Sequence, residues 1–233
     1  MAKAIVGSMS EWSGLLKDFF RQVEDGSIAH YQLREFLNHR DPFATLPDIN
    51  WRLTYEKLGM KAEYQELSGK LVLLEPNPDL WHIPMIQGVR ANKVVATYRS
   101  LNVDVYTYCD DLDANVSKND RDPNKDGNYL VGFRRTTEAD EEFANKSAND
   151  LAKLNHQGIT LMERLLLGFG FFVTTGQHLD VKNVTLCTGS RCSGGSVPSV
   201  GWNSGGRGVY VYWYGPDGSN GNIRSRSAVS LPA

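Results

Sequence analysis

The sequence predicts an α+β protein with a mostly helical N-terminal region over residues 1–84 and a mixed domain over residues 85–233. Three observations support this prediction. Apolar residues recur at helical spacing near the start of the chain, a second apolar helix follows Thr160, and Val and Tyr alternate from Val209 to Tyr214 as in a strand. A chain of 233 residues, 41% of them hydrophobic, is long enough to bury a core.

Short helices are predicted for the N-terminal region. One apolar helix face is formed by Trp12, Leu15, Leu16, Phe19, Phe20 and Val23. Asp25-Gly26-Ser27 indicates the end of this helix and the start of a second. Trp51 to Leu58 predicts a third, capped by Asn50 or Asp48. The region would serve either as a docking module or as packing against the main domain.

Three prolines mark the boundary between the two regions, at Pro76, Pro78 and Pro84. After this boundary, Val94 to Tyr108 is rich in Val, Tyr and Thr, which predicts one or two strands. Tyr129 to Arg134 predicts another strand by the same criterion. The main domain is therefore expected to open with strands.

Two capping boxes predict the helices of the main domain. Ser147 and Asp150 have the spacing of one box, and Thr160 and Glu163 have the spacing of a second. The second helix carries an apolar stripe of Leu161, Leu165, Phe169 and Phe172. It is predicted to end near Gly176 and to form the centre of the domain.

The composition changes abruptly after Val184. No Lys, Glu, Gln or Met follows Cys187, and the tail is built mainly of Gly, Ser, Asn, Tyr, Arg, Val and Trp. Strands separated by glycine-rich turns are predicted at Val184 to Thr188, Val197 to Trp202, Val209 to Tyr214 and Ser225 to Leu231.

The strand from Val209 to Tyr214 carries the most informative pattern. Alternation places Val209, Val211 and Trp213 on one face and Tyr210, Tyr212 and Tyr214 on the other. If the first face is buried, the tyrosines are exposed among loops of Gly, Ser and Asn. Tyrosine gives a large amphipathic contact at low conformational cost, and the small polar residues add adaptable hydrogen bonds, as in antibody binding surfaces. A sheet buried on both faces is the alternative.

Several short motifs lie between Asn149 and Leu231. They are Gly158-Ile159-Thr160-Leu161, Glu163-Arg164-Leu165-Leu166, Thr175-Gly176, His178-Leu179-Asp180, Thr185-Leu186-Cys187 and Gly189-Ser190-Arg191. The turn Asp120-Arg121-Asp122-Pro123 and the segment from Phe20 to Phe43 extend the set over most of the chain. Together these segments resemble the variable proteins of diversity-generating retroelements, which are known from candidate-phylum bacteria and from archaea.

This resemblance implies a C-type-lectin-like fold whose C-terminal sheet and loops display residues diversified by mutation at template adenines. Asparagine codons mutated in this way never yield Lys, Glu, Gln, Met or Trp. The implied variable segment covers about residues 187–226. Its diversified, ligand-binding positions would be Cys192, Gly194, Ser196, Ser199, Gly201, Asn203, Ser204, Tyr210, Tyr212, Tyr214, Asp217, Ser219, Asn220 and Asn222. The implied framework includes Ser190, Arg191, Val197, Pro198, Val200, Trp202, Val209, Val211, Trp213, Pro216, Arg224, Arg226 and Val229.

The expected function is therefore ligand binding rather than catalysis. The partner would be a protein or a glycan bound through the variable surface, and no cofactor is expected. Tyrosines would act as rigid anchors near the centre of the surface, with Ser, Asn and Asp at its rim. The sheet beneath would be held by Val200, Trp202, Val211 and Trp213.

Charge and hydropathy exclude other classes. A net charge of −2 and a sequence pI near 6.2 provide no general attraction to nucleic acid, and no basic patch is evident. No apolar run approaches a membrane span and residues 1–10 lack a signal-peptide pattern, so a cytoplasmic protein is expected. The tail arginines Arg191, Arg207, Arg224 and Arg226 are expected to bond to loop carbonyls and carboxylates.

Two further constellations have a chemical interpretation. The turn Asp120–Asp126 resembles the start of a calcium loop, but Phe133 occupies the position of the bidentate glutamate, which favours an ordinary Asp-rich turn. His178 and Asp180 would form half of an acid/base pair, for which no nucleophile can be placed. The five histidines show no zinc-ligand spacing.

Cysteine usage favours reduced thiols. Cys109, Cys187 and Cys192 are too few for a disulfide scaffold and are expected to be reduced, and a Cys187–Cys192 pair is the alternative.

Two alternative functions stay open. The first is a calcium-dependent carbohydrate-binding module, whose stability would depend on calcium. The second is an enzyme of the formylglycine-generating type, which would show a reactive cysteine pair or a bound metal.

Overall fold

The computed structural model describes residues 8–25, 28, 36, 46–68, 77 and 79–230. The chain divides into two compact units, Met1–Leu46 and Pro47–Ala233. In the first unit, α1 (Met9–Glu24) begins with a capping box in which Ser8 accepts from the backbone N–H of Glu11. The predicted first helix is thereby confirmed. The predicted start of a second helix at Ser27 lies outside the described residues.

Helix α1 is amphipathic, and Leu15 and Phe20 on its apolar face are 65% and 63% exposed. Charged residues on its polar side pair along the helix, with Arg21 bonded to Asp18 at 2.7 Å. Within the described residues, no helix combines the length and the apolar character needed to cross a membrane.

The second unit is mixed. Its helices are α2 (Trp51–Lys57), α3 (Lys61–Ser68), α4 (Ala91–Ser100), α5 (Leu112–Asn115), α6 (Pro123–Asp126), α7 (Ala148–Lys153) and α8 (Leu161–Thr175), with a 3-10 turn at Glu141–Phe143. Its strands are β1 (Leu80–Met85), β2 (Asp104–Thr107), β3 (Val116–Asn119), β4 (Tyr129–Arg134), β5 (Val184–Leu186), β6 (Ser190–Cys192), β7 (Val197–Asn203), β8 (Gly208–Tyr214), β9 (Ile223–Arg224) and β10 (Val229–Ser230). This content confirms the α+β class.

The strands form three sheets. β4 lies between β1 and β10 and is antiparallel to both. A five-stranded sheet has the order β2-β8-β7-β5-β9, in which β8 runs parallel to β2 and antiparallel to β7. β3 and β6 form a separate pair. The strands predicted at 129–134, 184–188, 197–202 and 209–214 are confirmed, whereas the one predicted at 225–231 is reduced to β10 and two isolated bridges.

The second unit begins at Pro47, well before the boundary that the prolines predicted. Tyr55 on α2 is fully buried, and its hydroxyl donates to the carbonyl oxygen of Pro84. Pro84 lies within β1, which is an edge strand of its sheet. An edge strand accommodates proline because one side of its backbone needs no partner, so this proline did not mark a linker.

The prediction of strands over 94–108 is wrong in its first half, where α4 forms. Val94, Val95 and Tyr98 are the buried side of this helix, so packing overrides the strand preference of β-branched residues. The helix begins without a local side-chain cap. Instead, the carboxylate of Asp113 accepts from the backbone N–H groups of Ala91 and Asn92, at 2.8 and 3.1 Å. A cap supplied from a distant segment leaves no local signal.

Helix α8 is the centre of the core, as predicted. Thr160 and Glu163 form its capping box, and Gly176 ends it with a φ of 71°. Phe169 packs edge-on against Tyr98 with 4.9 Å between ring centroids. At Gly170, an added Cβ would lie 2.7 Å from a side-chain carbon of Ile49. The close approach of Ile49 to α8 therefore requires glycine at this position.

A buried ionic cluster of Arg164, Asp180 and Arg226 joins α8 to the sheet. Arg164 donates to Oδ2 of Asp180 from Nε and Nη2, at 2.8 and 2.7 Å. Arg226 donates to Oδ1 at 2.6 Å, and the Thr185 hydroxyl of β5 donates to Oδ2. The carbonyl oxygen of Asp180 accepts from the N–H of Trp202 on β7. Through its carboxylate and its backbone carbonyl oxygen, Asp180 therefore ties together a helix, two strands and the C-terminal segment.

Each carboxylate oxygen of Asp180 faces one arginine. Burial by itself would raise the pKa of Asp180, but the positive charges of Arg164 and Arg226 outweigh burial and hold the pKa below its ordinary value. Arg226, 1% exposed, also donates to the carbonyl oxygens of Thr136 and Thr137 at 3.0 and 3.1 Å. The cluster is thus an ion pair network whose charges are hydrogen-bonded.

A second ion pair, between the half-buried Arg121 and the buried Glu163, holds the start of α8. Arg121 donates to both carboxylate oxygens of Glu163 at 2.8 Å and to the carbonyl oxygen of Gly158 at 2.7 Å. Tyr129 donates to the same carboxylate at 3.0 Å, and burial is the main cause that raises the pKa of this tyrosine. Glu163 therefore caps the helix and anchors β4 and the 120–123 turn at once.

Replacing Asp180 with Asn is expected to destabilise the fold by about 3 to 5 kcal/mol, because two buried arginines lose their counter-charge. Asp180 has a φ of 55°, a left-handed conformation that Asn also tolerates, so the change isolates the charge. The midpoint of urea unfolding measures the loss. Asp110→Asn, at an exposed position, is the matched control and should cost less than about 0.5 kcal/mol. Equal stability of the two variants would contradict a central role for the carboxylate.

Candidate functional site

The β7–β8 hairpin forms the candidate site because its two faces differ. Val200 and Val211 are paired across the hairpin and are 1% and 0% exposed on the face toward α8. On the opposite face, Tyr212 is 56% exposed and Tyr210 is half-buried. The predicted alternation is confirmed for these positions, and β8 displays aromatic side chains to solvent on this face.

The displayed rings form a short row. Tyr210 and Tyr212 are nearly parallel, with 6.2 Å between ring centroids and an interplanar angle of 6°. Tyr106 on β2 extends the row, because its ring centroid lies 4.5 Å from that of Tyr210. Sequence reasoning missed Tyr106. The sequence placed Tyr106 in a predicted strand but did not indicate that this strand would pair in parallel with β8.

Glycines make room for this row. A Cβ at Gly208 would lie 2.9 Å from the ring of Tyr106, and a Cβ at Gly206 would collide with the hydroxyl of Tyr210. Larger residues at these two positions would displace the rings. The glycine-rich composition of the hairpin is therefore partly a packing requirement.

The other predicted ligand-binding residues lie at the two ends of the hairpin. Asn203 and Ser204 are at its tip, where Asn203 Oδ1 accepts from the N–H of Gly206 at 2.9 Å. The opposite end holds the turns before β7 and after β8. The exposed residues of these turns are Gly194, Asp217, Ser219, Asn220 and Asn222, and Ser196 is half-buried. Six residue steps separate the two ends along β8, or about 20 Å.

Three of the predicted ligand-binding residues are buried, namely Cys192, Ser199 and Gly201. Cys192 is 4% exposed, and its Sγ lies 3.1 Å from the hydroxyl of Tyr108. Ser199 is fully buried, and a Cβ at Gly201 would lie 3.2 Å from a backbone oxygen of Asn183. In this conformation these three positions cannot contact a ligand, because they are buried. The sequence pattern could assign a strand face but not how far that face is covered.

Two aromatic residues of β8 differ from expectation. Trp213 was expected to hold the core, yet it is 52% exposed, so that prediction is wrong. Tyr214 was expected on the display surface, yet it packs against a buried cluster of Ala148, Leu186, Val197 and Ile223. The pairing of β8 with β2 ends at Val211, before Trp213. Tyr214 packs against the cluster that contains Ala148 of α7. Burial therefore changes along β8.

Trp202 is held by ring stacking. The ring of His178 lies between Phe172, at 4.9 Å between centroids, and Trp202, at 3.6 Å. Burial, together with the nearby charge of Arg164, lowers the pKa of His178 to about 4, so the ring is neutral near pH 7. Asp180, the other member of the suggested acid/base pair, is engaged by two arginines. These contacts favour packing roles for both residues.

The Asp-rich turn is explained by local hydrogen bonds. Asp122 caps α6 by accepting from the N–H of Asn124 at 3.0 Å, and Asp126 accepts from the N–H of Asp122 at 2.8 Å. The side-chain amide of Asn124 donates a hydrogen bond to the carbonyl oxygen of Val89 at 2.9 Å. Across the described ranges, no cluster of three or more His, Cys, Asp or Glu residues is arranged to hold a metal ion.

The cysteines are unpaired thiols, and three of the tail arginines bond to backbone carbonyl oxygens. Cys109, Cys187 and Cys192 are free thiols, and burial raises the pKa of Cys187, which disfavours its reactive thiolate form. Arg191 donates to two backbone carbonyl oxygens at 2.7 and 2.8 Å, and Arg224 donates to a third at 3.3 Å. The expectation of carbonyl and carboxylate bonding is therefore confirmed for Arg191, Arg224 and Arg226, whereas Arg207 is exposed.

Comparisons of the chain with known protein families, with characterised proteins and with solved structures find no match. Function is therefore inferred from sequence motifs and from the geometry of the site.

Replacing Tyr212 with Ala is expected to change the free energy of unfolding by less than about 0.5 kcal/mol, because the side chain is mostly exposed. Tyr214→Ala should cost about 1 to 2 kcal/mol, because its ring packs against the buried cluster. Urea unfolding of both variants measures the difference, with Trp213→Ala as an exposed control on the same strand. A large loss for Tyr212→Ala would show that the tyrosine row belongs to the core.

Proposed function

We propose that this protein binds a macromolecular ligand through the sheet face that displays Tyr210 and Tyr212, and that it does not act as an enzyme. The observation that carries the proposal is the placement of these rings. They are presented on a strand whose other face, at Val209 and Val211, is 6% and 0% exposed. A rigid backbone that presents tyrosines among Ser, Asn and Gly is typical of surfaces built for binding.

We further propose that the second unit is a C-type-lectin-like domain of the type found in variable proteins of diversity-generating retroelements. The resemblance implies a C-terminal sheet that displays variable residues, and the β7–β8 hairpin would fill that role. The motif residues that carry the resemblance support this view, because Glu163, Arg164 and Asp180 form the buried networks. Residues in such networks tolerate little change, whereas the tail carries the exposed turns.

Diversification by adenine mutation accounts for the composition of the tail. No Lys, Glu, Gln or Met follows Cys187, although these residues are common on protein surfaces and much of the tail is exposed. Under this proposal, the exposed diversified positions are those at the hairpin tip, on the tyrosine row and in the 215–222 turn. Cys192, Ser199 and Gly201 would vary only within the limits of their buried surroundings.

Sequencing of the DNA that flanks this coding sequence tests the origin of the tail. The proposal predicts a near-copy of the region encoding Cys187 to Arg226, beside a reverse transcriptase gene, with differences concentrated at adenines of the copy. Those differences should fall at codons for exposed residues such as Tyr212 and Ser204. Absence of any copy would contradict an active retroelement at this locus, and differences spread evenly over all four bases would contradict adenine mutagenesis.

A further inference from the structure

We propose that Tyr106, which lies outside the tail, is a ligand-contact residue of the tyrosine row and that this row binds a polypeptide. The inference rests on the proposed binding function and deepens it in two ways. It adds to the surface a residue from β2, beyond the segment 187–226 implied as diversified. It also assigns the chemical class of the partner.

Tyr106 belongs to the surface by geometry. It is paired with Tyr210 in the parallel ladder of β2 and β8, so both side chains leave the sheet on the same face. Their ring centroids lie 4.5 Å apart, and the ring planes are inclined by 34°. Tyr106 is 45% exposed, whereas its neighbour Val105 on the other face is 5% exposed. The ring therefore contributes little to the core and supports Tyr210 from the side.

The hairpin is shaped around this ring. At Gly208, an added Cβ would lie 2.9 Å from both the ring of Tyr106 and the backbone oxygen of Asp104. Any other residue at this position would force the ring away from Tyr210. The contact between Tyr106 of β2 and Tyr210 of the tail thus depends on Gly208, which also lies in the tail. The two segments therefore form one surface.

The surroundings of the row favour a polypeptide. Asp104 and Arg207 are exposed beside the rings, and Asn203 and Ser204 add exposed hydrogen-bonding groups at the hairpin tip. An aromatic centre with a polar rim is the usual anatomy of a protein interface. Charges of both signs match the charged side chains of a polypeptide, and the amide and hydroxyl groups match its backbone. A neutral glycan has no charge to pair with Asp104 or Arg207.

Selection of random 12-residue peptides displayed on phage, with the full native chain as target, provides the probe. The affinity of the selected peptides is then measured for the native chain and for variants. Tyr106→Ala and Tyr212→Ala are each expected to weaken binding at least tenfold, because truncation of a central aromatic anchor is costly. Tyr106→Phe, which keeps the ring, should bind within about threefold of the native chain.

Trp213→Ala is the matched control, because Trp213 is equally exposed on β8 but points to the other face; its affinity should be unchanged. Melting temperatures of all variants are measured alongside. If only Tyr212→Ala weakens binding, the role of Tyr106 is overturned and the proposed function stands. If neither tyrosine variant weakens binding, the whole surface is overturned. If no peptide binds the native chain, the assignment to a polypeptide is overturned.

Discussion

The rest of the fold depends on the carboxylate of Asp180. It accepts from Arg164 of α8, from Arg226 near the C-terminal end and from Thr185 of β5, in a site closed to water. The two arginines share this carboxylate, and Arg226 also donates to the carbonyl oxygens of Thr136 and Thr137. Because buried charges need such partners, the cluster defines one relative placement of the elements that carry it. Because the backbone of Asp180 also bonds to Trp202, the position of β7 follows from the same residue.

This arrangement separates the part of the chain that sets the fold from the part that faces solvent. The networks around Asp180 and Glu163 connect α8 to β4, β5 and the 120–123 turn without using any exposed residue of the tail. The hairpin then presents Tyr210 and Tyr212 on a face whose opposite side is buried. Where this face is exposed, as at Tyr212, the sheet can accept substitutions, because exposed replacements remove few contacts. Such a division suits a binding protein whose surface varies.

Local patterns predicted much of this fold. The capping boxes of α7 and α8, the glycine that ends α8 and the alternation of β8 act over a few residues, so the sequence displays them directly. Contacts between distant segments were not visible. Asp113 caps α4 from a distant segment, α7 packs near Tyr214, and the parallel pairing of β8 with β2 adds Tyr106 to the site. Each depends on tertiary packing, which residue spacing does not encode.

The most direct test compares two libraries of variants of this protein. Each varied position is encoded by an Asn codon whose two adenines are randomised. One varies the exposed residues Ser204, Tyr212, Ser219, Asn220 and Asn222, and the other varies the buried residues Cys192, Ser199 and Gly201. The fraction of folded members is measured by protease resistance of the displayed chains. Most members of the first library are expected to fold, and most members of the second are not. Equal fractions, or unfolding of the exposed library, would contradict this expectation.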